Sequence, residues 1–270
     1  MRRLRHRRVL LATIAVTAVA AAVATVVAGG SSQPAGSGSA AEVLGRIERR
    51  GPMPGGEVAV RDDPTLDRAR RATVVSGEIA VRTRPSTGAP VAVTLGDRTE
   101  LGAPTTFLVE ETHVDPFGAP WYRVLLPTPP NGSEGWVAGD DVTVESVSYR
   151  IEIHLSQFRL DLVRDGDVER SYPIGVGTDE TPTPDGHYYV KEVIELTRPD
   201  SAYGSHALAL NGFSEVLTFW RGGGMLGIHG TNRPDSIGTQ ASHGCIRMHN
   251  EHVAEVAALV VRGTPVKVFA

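Results

Sequence analysis

Disulfide bonding is the first thing excluded: the 270-residue chain contains one cysteine, Cys245, and so no partner for it. Charge excess is absent too. With 27 Lys and Arg against 31 Asp and Glu, no chain-wide field draws the protein to nucleic acid. No two carboxylates stand at a recognisable catalytic spacing, and no serine lies in Gly-x-Ser-x-Gly, so neither a two-carboxylate glycosidase nor a nucleophile-elbow hydrolase finds support. Beyond residue 28 there is no second apolar stretch long enough to span a bilayer.

What is present begins with a basic cluster, MRRLRHRR, followed directly by a 20-residue apolar run over residues 9–28. That order is the layout of an export signal. A cleaved signal has about 7 to 15 apolar residues and a membrane span about 20, so the run fits either a signal cut after Val26-Val27-Ala28 or an uncleaved membrane anchor. Both place the rest of the chain outside the cytoplasm, in the cell wall or periplasm. Lipid attachment is excluded, since no cysteine lies near the cleavage site. A lone thiol in an exported protein is flagged as reactive, against the ordinary fate of a free cysteine as a small core residue.

Residues 29–72 open with GGSSQPAGSGSAA and continue charged and proline-broken, which reads as a flexible linker with one short helix at 42–50. From Thr73 the texture becomes short alternating runs such as GEIAVRTRP, TTFLVEE and WYRVLLP, separated by turns at Ser86-Thr87-Gly88 and Pro130-Asn131-Gly132. Such spacing predicts a small all-β unit. Val81-Arg82-Thr83-Arg84-Pro85, Trp121-Tyr122-Arg123-Val124 and Gly135-Trp136-Val137 carry a resemblance to the bacterial SH3-like domain family over residues 73–147. That resemblance implies a small β-barrel that binds cell-wall peptides or serves as a spacer; Trp121 and Trp136 read as barrel core.

From Val147 a second β-rich unit is expected. SYRIEIHLSQFRLDLVRDGDVERSYPIGVG reads as two strands joined by a tight turn at Asp165-Gly166-Asp167 and followed by a third; a turn at Thr183-Pro184-Asp185-Gly186 then precedes HYYVKEVIEL. Asn250 is placed to cap a helix whose Val253, Val256, Ala257 and Val260 recur at helical spacing, with Gly263 and Pro265 ending it before a last strand, VKVFA.

Chemistry concentrates in GIHGTNRPDSIGTQASHGCIRMHN, residues 227–250. A cysteine that attacks an amide must be ionised, yet a free thiol has a pKa of about 8.5, so a base or cation is needed. His229 follows Leu226 and Ile228, as at the end of a strand, and lies 16 residues before Cys245 across a glycine-bearing loop. Residues two apart on an extended segment point the same way, so His229 is better placed than His243 to face the sulfur. His229 is assigned as general base and His243 as an orienting, loop-shaping residue. Gly244 permits the turn, and the N–H groups of Gly244 and Cys245 are candidate oxyanion-hole donors. A zinc site from His229, His243, Cys245 and His249 would crowd two ligands into one short turn, so no metal is assigned. His206, His249 and His252 read as surface or helix residues, and His154 and His187 as strand residues.

His229 followed by Ser242-His243-Gly244-Cys245-Ile246-Arg247 resembles the signature of the L,D-transpeptidase catalytic domain family. The likeness extends over residues 147–270 and includes IEIHLSQFRLDLVRDG, the GVG at 175–177, the TPTPDG turn and the closing GTPVKVF. It implies a β-sandwich, no cofactor, and a Cys245 thioester formed on a peptidoglycan tetrapeptide stem with loss of D-alanine, resolved by a second stem's amine as a 3–3 cross-link. The Gly230 carbonyl would orient His229, and Ser242 and Arg247 would shape the loop or meet substrate. A carbapenem would acylate Cys245. Water or a protein lysine as acceptor would make the same nucleophile a carboxypeptidase or an anchoring transferase; a wall-binding protein without catalysis is the other class.

Overall fold

The computed structural model describes residues 60–61, 69–75, 77–217 and 224–270. The signal or anchor segment, the expected helix at 42–50 and most of the linker lie outside them. Among the described residues no helix is long and apolar enough to cross a membrane.

The protein is mainly β. Eight strands form a first sheet: β1 (Val60–Arg61), β2 (Arg70–Val74), β3 (Glu78–Arg82), β4 (Val91–Gly96), β5 (Thr106–Val114), β6 (Pro120–Leu125), β7 (Glu134–Ala138) and β8 (Val142–Ser146). Their order is β4-β3-β7-β6-β5-β2-β8, with β1 also on β5. Period-two alternation builds its core. Ile79 and Val81 of β3, Phe107 and Val109 of β5, Val124 and Val137 are fully buried together. Trp121 is buried with 3 % of its surface exposed, but Trp136 is only half-buried, with its ring edge-on to His113 at 6.0 Å. The reason is alternation: Val137 points inward, which turns Trp136 to the other face. Strand β2 starts at Arg70, three residues inside the segment read as linker. Its Arg-rich start masked an alternation in which Ala72 and Val74 are buried between β5 and β8.

The second sheet holds β9 (Tyr149–His154), β10 (Arg159–Arg164), β11 (Asp167–Pro173), β13 (Gly186–Glu195), β14 (His206–Phe213), β15 (Met225–His229), β17 (Ile246–Arg247) and β18 (Pro265–Phe269), in the order β11-β10-β9-β18-β13-β14-β15-β17. Short strands β12 (Val176–Gly177) and β16 (Gln240–Ser242) pair in parallel beside it. The stretch before the Asp165-Gly166 turn forms two strands rather than one, because a 3-10 turn over Leu155–Gln157 ends with Phe158 in left-handed backbone, φ 49°. One helix among the described residues, α1 (Asn250–Leu259), lays Val253 and Val256 on the sheet's core of Ile151, Ile153, Leu208, Ile228 and Ile246. Ala69, Leu108, Leu125 and Val147 close on Tyr189 of β13, and this buried cluster joins the two sheets.

Candidate active site

Leu226 and Ile228 drive β15 into the core, and the strand ends at His229. Strand β17 pairs with it in parallel, matching Ile228 with Ile246 and His229 with Arg247. Neighbouring strands lie about 4.8 Å apart and matched residues share a face, so the two isoleucines face the core while His229 and Arg247 stand side by side on the other face. Cys245 enters one residue before β17, beside Gly227, which carries no side chain to cover the sulfur.

The loop that presents Cys245 is braced from within. Gly244 takes φ +103°, a conformation that an L side chain rarely adopts. The Ser242 hydroxyl accepts the Gly244 N–H at 3.2 Å and donates to the Cys245 carbonyl. Gly175 and Arg247 exchange backbone bonds of 2.9 and 2.8 Å, and the Thr178 N–H donates to the Ser242 carbonyl at 3.2 Å. Pro182 lies across the loop, its carbonyl 3.3 Å from where a Gly244 side chain would begin. It also lines a cavity of about 480 Å³ with Val176, Thr178, Thr183 and Gln240. His243 is exposed.

His229 has 6 % of its surface exposed. Its Nδ1 lies 2.6 Å from the Gly230 carbonyl. A carbonyl only accepts, so Nδ1 carries the proton and Nε2 keeps a free lone pair. Burial, with a contribution from the Arg247 charge, lowers its pKa from 6.5 to about 4, although the Gly230 bond works the other way. Burial likewise pushes the Cys245 thiol up, against the Gly227 N–H and the Arg247 charge, which favour thiolate. Near neutral pH the resting pair is therefore thiol and neutral imidazole. The sulfur's other neighbour is the Met225 carbonyl at 4.0 Å. Two nitrogens of Arg247, Nε and Nη1, are buried with no hydrogen-bond partner among the described residues.

The depressed His229 pKa has a consequence for folding. Between pH 6.5 and about 4 the unfolded chain binds a proton that the folded one does not, so this group's stabilisation is complete above pH 6.5 and is lost as pH falls toward 4. From pH 7 to 4.5 the loss should be about 2 kcal/mol greater in the wild type than in His229→Gln, read by urea unfolding. Equal losses in the two proteins would contradict this assignment.

Two contributors escaped the sequence reading. The Tyr203 ring, half-exposed, lies 4.8 Å from the His229 ring at 58°. Asn250 was expected as a helix cap, but His249 holds the capping position and no side chain caps the helix. The Asn250 Oδ1 instead accepts the N–H groups of Thr231 at 3.0 Å and Ser205 at 3.4 Å, and Nδ2 donates to the Pro199 carbonyl at 3.5 Å. A helix-starting asparagine offers the same local pattern whether it caps or reaches sideways.

Residues 148–268 match the sequence model of the L,D-transpeptidase catalytic domain family, YkuD. The Bacillus subtilis protein that carries the L,D-transpeptidase name YkuD is 33 % identical over 150 residues, 53 % of this chain and 84 % of its own length. Its Bacillus licheniformis namesake is 34 % identical over 153 residues, 54 % of this chain and 85 % of its own. A solved Enterococcus faecium L,D-transpeptidase, a cysteine-to-serine mutant, is similar at 25 % identity with a TM-score of 0.36, over 47 % of this chain and 56 % of that one. This chain thus spans little more than half of that solved protein's length.

Proposed function

This chain belongs to the L,D-transpeptidase catalytic domain family, and we propose on that premise that Cys245 forms a thioester on a peptidoglycan tetrapeptide stem and passes it to a second stem. The observation that carries the reading is the parallel β15–β17 pairing, which sets His229 beside the Cys245 segment with Nδ1 committed to Gly230 and Nε2 free.

In this mechanism the Cys245 thiol gives its proton to His229 Nε2 as sulfur attacks the carbonyl carbon before the terminal D-alanine. The oxyanion is met by the Cys245 N–H, with the Gly244 N–H shared with Ser242. The carbon–nitrogen bond breaks, and the imidazolium returns its proton to the departing D-alanine amine. A side-chain amine of the second stem then attacks the thioester and loses a proton to His229; sulfur leaves and is reprotonated. Arg247 favours the developing thiolate over imidazolium, and its backbone bonds to Gly175 give it a loop-shaping role. His243, exposed beside Gly244, shapes the same turn.

The reading extends to the rest of the chain. Residues 73–147 act as an SH3-like unit that binds wall peptides or spaces the catalytic part, residues 148–270 form that part, and residues 1–28 export or anchor the protein outside the cytoplasm behind the linker.

Intact-mass analysis of the protein mixed with a tetrapeptide-stem muropeptide tests the proposal. The expected result is an acyl adduct and released D-alanine, both absent in Cys245→Ala, with a carbapenem also adding its mass to Cys245. A dimer, a trimmed monomer or a protein conjugate among the products identifies transpeptidase, carboxypeptidase or anchoring activity. No adduct and no product from folded protein would leave the non-catalytic wall-binding reading.

A further inference from the structure

The edge of β14 presents a problem that the first sheet solves. Strand β13 pairs with β14 from Glu195 opposite His206 as far as Val190 opposite Leu210, where that ladder ends, while β18 holds the other edge of β13 from Gly186 to Tyr189. The last residues of β14 thus lose their ladder partner on that side. Asn211 fills part of the gap: its Oδ1 accepts the Tyr189 N–H at 2.7 Å, and its Nδ2 donates across to the Leu126 carbonyl of the first sheet at 3.3 Å. At Phe213 the replacement comes from the loop between β6 and β7 of the first sheet. The Asn131 amide accepts the Phe213 N–H and donates to the Phe213 carbonyl, both at 2.8 Å.

A primary amide that accepts and donates in this way reproduces what a strand residue offers its neighbour in an antiparallel ladder. The turn that presents it is braced. Ser133 donates to the Pro130 carbonyl through both its hydroxyl, at 2.7 Å, and its N–H, at 3.2 Å, and Leu126 donates to the Ser133 carbonyl at 2.8 Å. Phe213 in turn is matched with Met225 across β14 and β15, beyond a break in register after Ala209. Met225 is the residue whose carbonyl lies beside the Cys245 sulfur. The contacts run without a gap from Asn131 through Phe213 and Met225 to the nucleophile.

We propose that Asn131 is a positioning residue for Cys245: by standing in for the missing strand at Phe213, the first sheet fixes the Met225 wall against which the thiol rests. The first sheet is then part of the catalytic apparatus and not only a spacer. Gly227 sits in the regular part of β15, opposite Ala209, so loosening Phe213 frees the Met225 carbonyl while leaving the Gly227 N–H in place. Losing an acceptor for the neutral thiol favours thiolate, whereas losing the wall leaves the sulfur less well aimed. General unfolding would also expose the thiol, lower its pKa and abolish acylation, so both rates are read on variants whose urea unfolding matches the wild type.

The test measures two rates on the full chain: alkylation of Cys245 by iodoacetamide against pH, and formation of the muropeptide or carbapenem adduct. Asn131→Ala is expected to move the alkylation midpoint down by a few tenths of a pH unit and to slow adduct formation about tenfold. Asn131→Asp keeps acceptance from the Phe213 N–H but sets a carboxylate oxygen against its carbonyl, so it should show both changes and serves if the alanine variant does not fold. Glu100→Gln, which removes the ion pair to Lys191 between the same two sheets, should change neither. An unmoved midpoint in a folded Asn131 variant, or an equal shift in Glu100→Gln, overturns the proposal. Alkylation needs no substrate, so this outcome is separable from failure of the transpeptidase reading.

Discussion

Replacing His229 by alanine should slow acylation of Cys245 by about 10³-fold, within the range of about 10² to 10⁴ that a positioned general base contributes. Burial holds the thiol above its ordinary pKa and the imidazole near 4, so in the proposed mechanism the sulfur reaches the reaction protonated and must lose its proton during attack. Nε2 is the acceptor that the Gly230 bond leaves open. The pH profile carries the same signature: wild-type acylation should rise through about pH 4 as His229 loses its proton and stay flat across neutrality. In His229→Ala the acidic limb should vanish and the rate should climb with pH until the thiol ionises. The measurement is adduct formation followed by intact mass from pH 4 to 9. A variant within tenfold of wild type at pH 7 would remove His229 from the role of base.

Both charged forms are disfavoured here by the same cause. A buried site with one fixed cation, Arg247, admits a thiolate more readily than an imidazolium, yet desolvation outweighs that help at rest. In the proposed mechanism charge therefore develops during attack, when a substrate lies against it.

Legibility in the sequence followed the range of the interaction. The strand ending at His229, the alternation of Ile79 and Val81 and the helical spacing of Val253 and Val256 are local patterns, and the structure has those elements. The match of His229 with Arg247 lay outside such reading, because parallel pairing across 18 residues leaves no periodic trace. Tyr203 on His229, Asn250 at Thr231 and Asn131 at Phe213 join segments 19 to 82 residues apart through single polar or ring contacts. Strand β2 was hidden by composition, since Arg70-Arg71 looks like a tether until its neighbours are known. Trp136 reads as core by its aromaticity, but its alternation with the buried Val137 turns it to the other face.

Asn250→Ala should be the most damaging substitution outside the proposed Cys245–His229 pair. The backbones of Gly204 and Gly230 approach so closely that a side chain on Gly204 would begin 2.0 Å, and one on Gly230 2.2 Å, from the Asn250 Oδ1. The amide fills the junction of the Tyr203 loop, the residues after β15 and the start of α1. Alanine there strands the Thr231 and Ser205 N–H groups, and an unsatisfied buried donor costs about 1 to 3 kcal/mol. The Gly230 carbonyl that holds His229 belongs to this junction, so a displacement of about 1 Å should add a loss of about 10²-fold in acylation rate. Asn250→Asp keeps the acceptor and gives up only the long bond to Pro199, so it should fold like the wild type and keep most of the rate. Urea unfolding paired with adduct kinetics on the two variants reads both effects. Equal damage in Asp and Ala would mean that the Pro199 bond or the carboxylate charge governs the junction, while no damage in either would show that the loop and helix hold His229 without this amide.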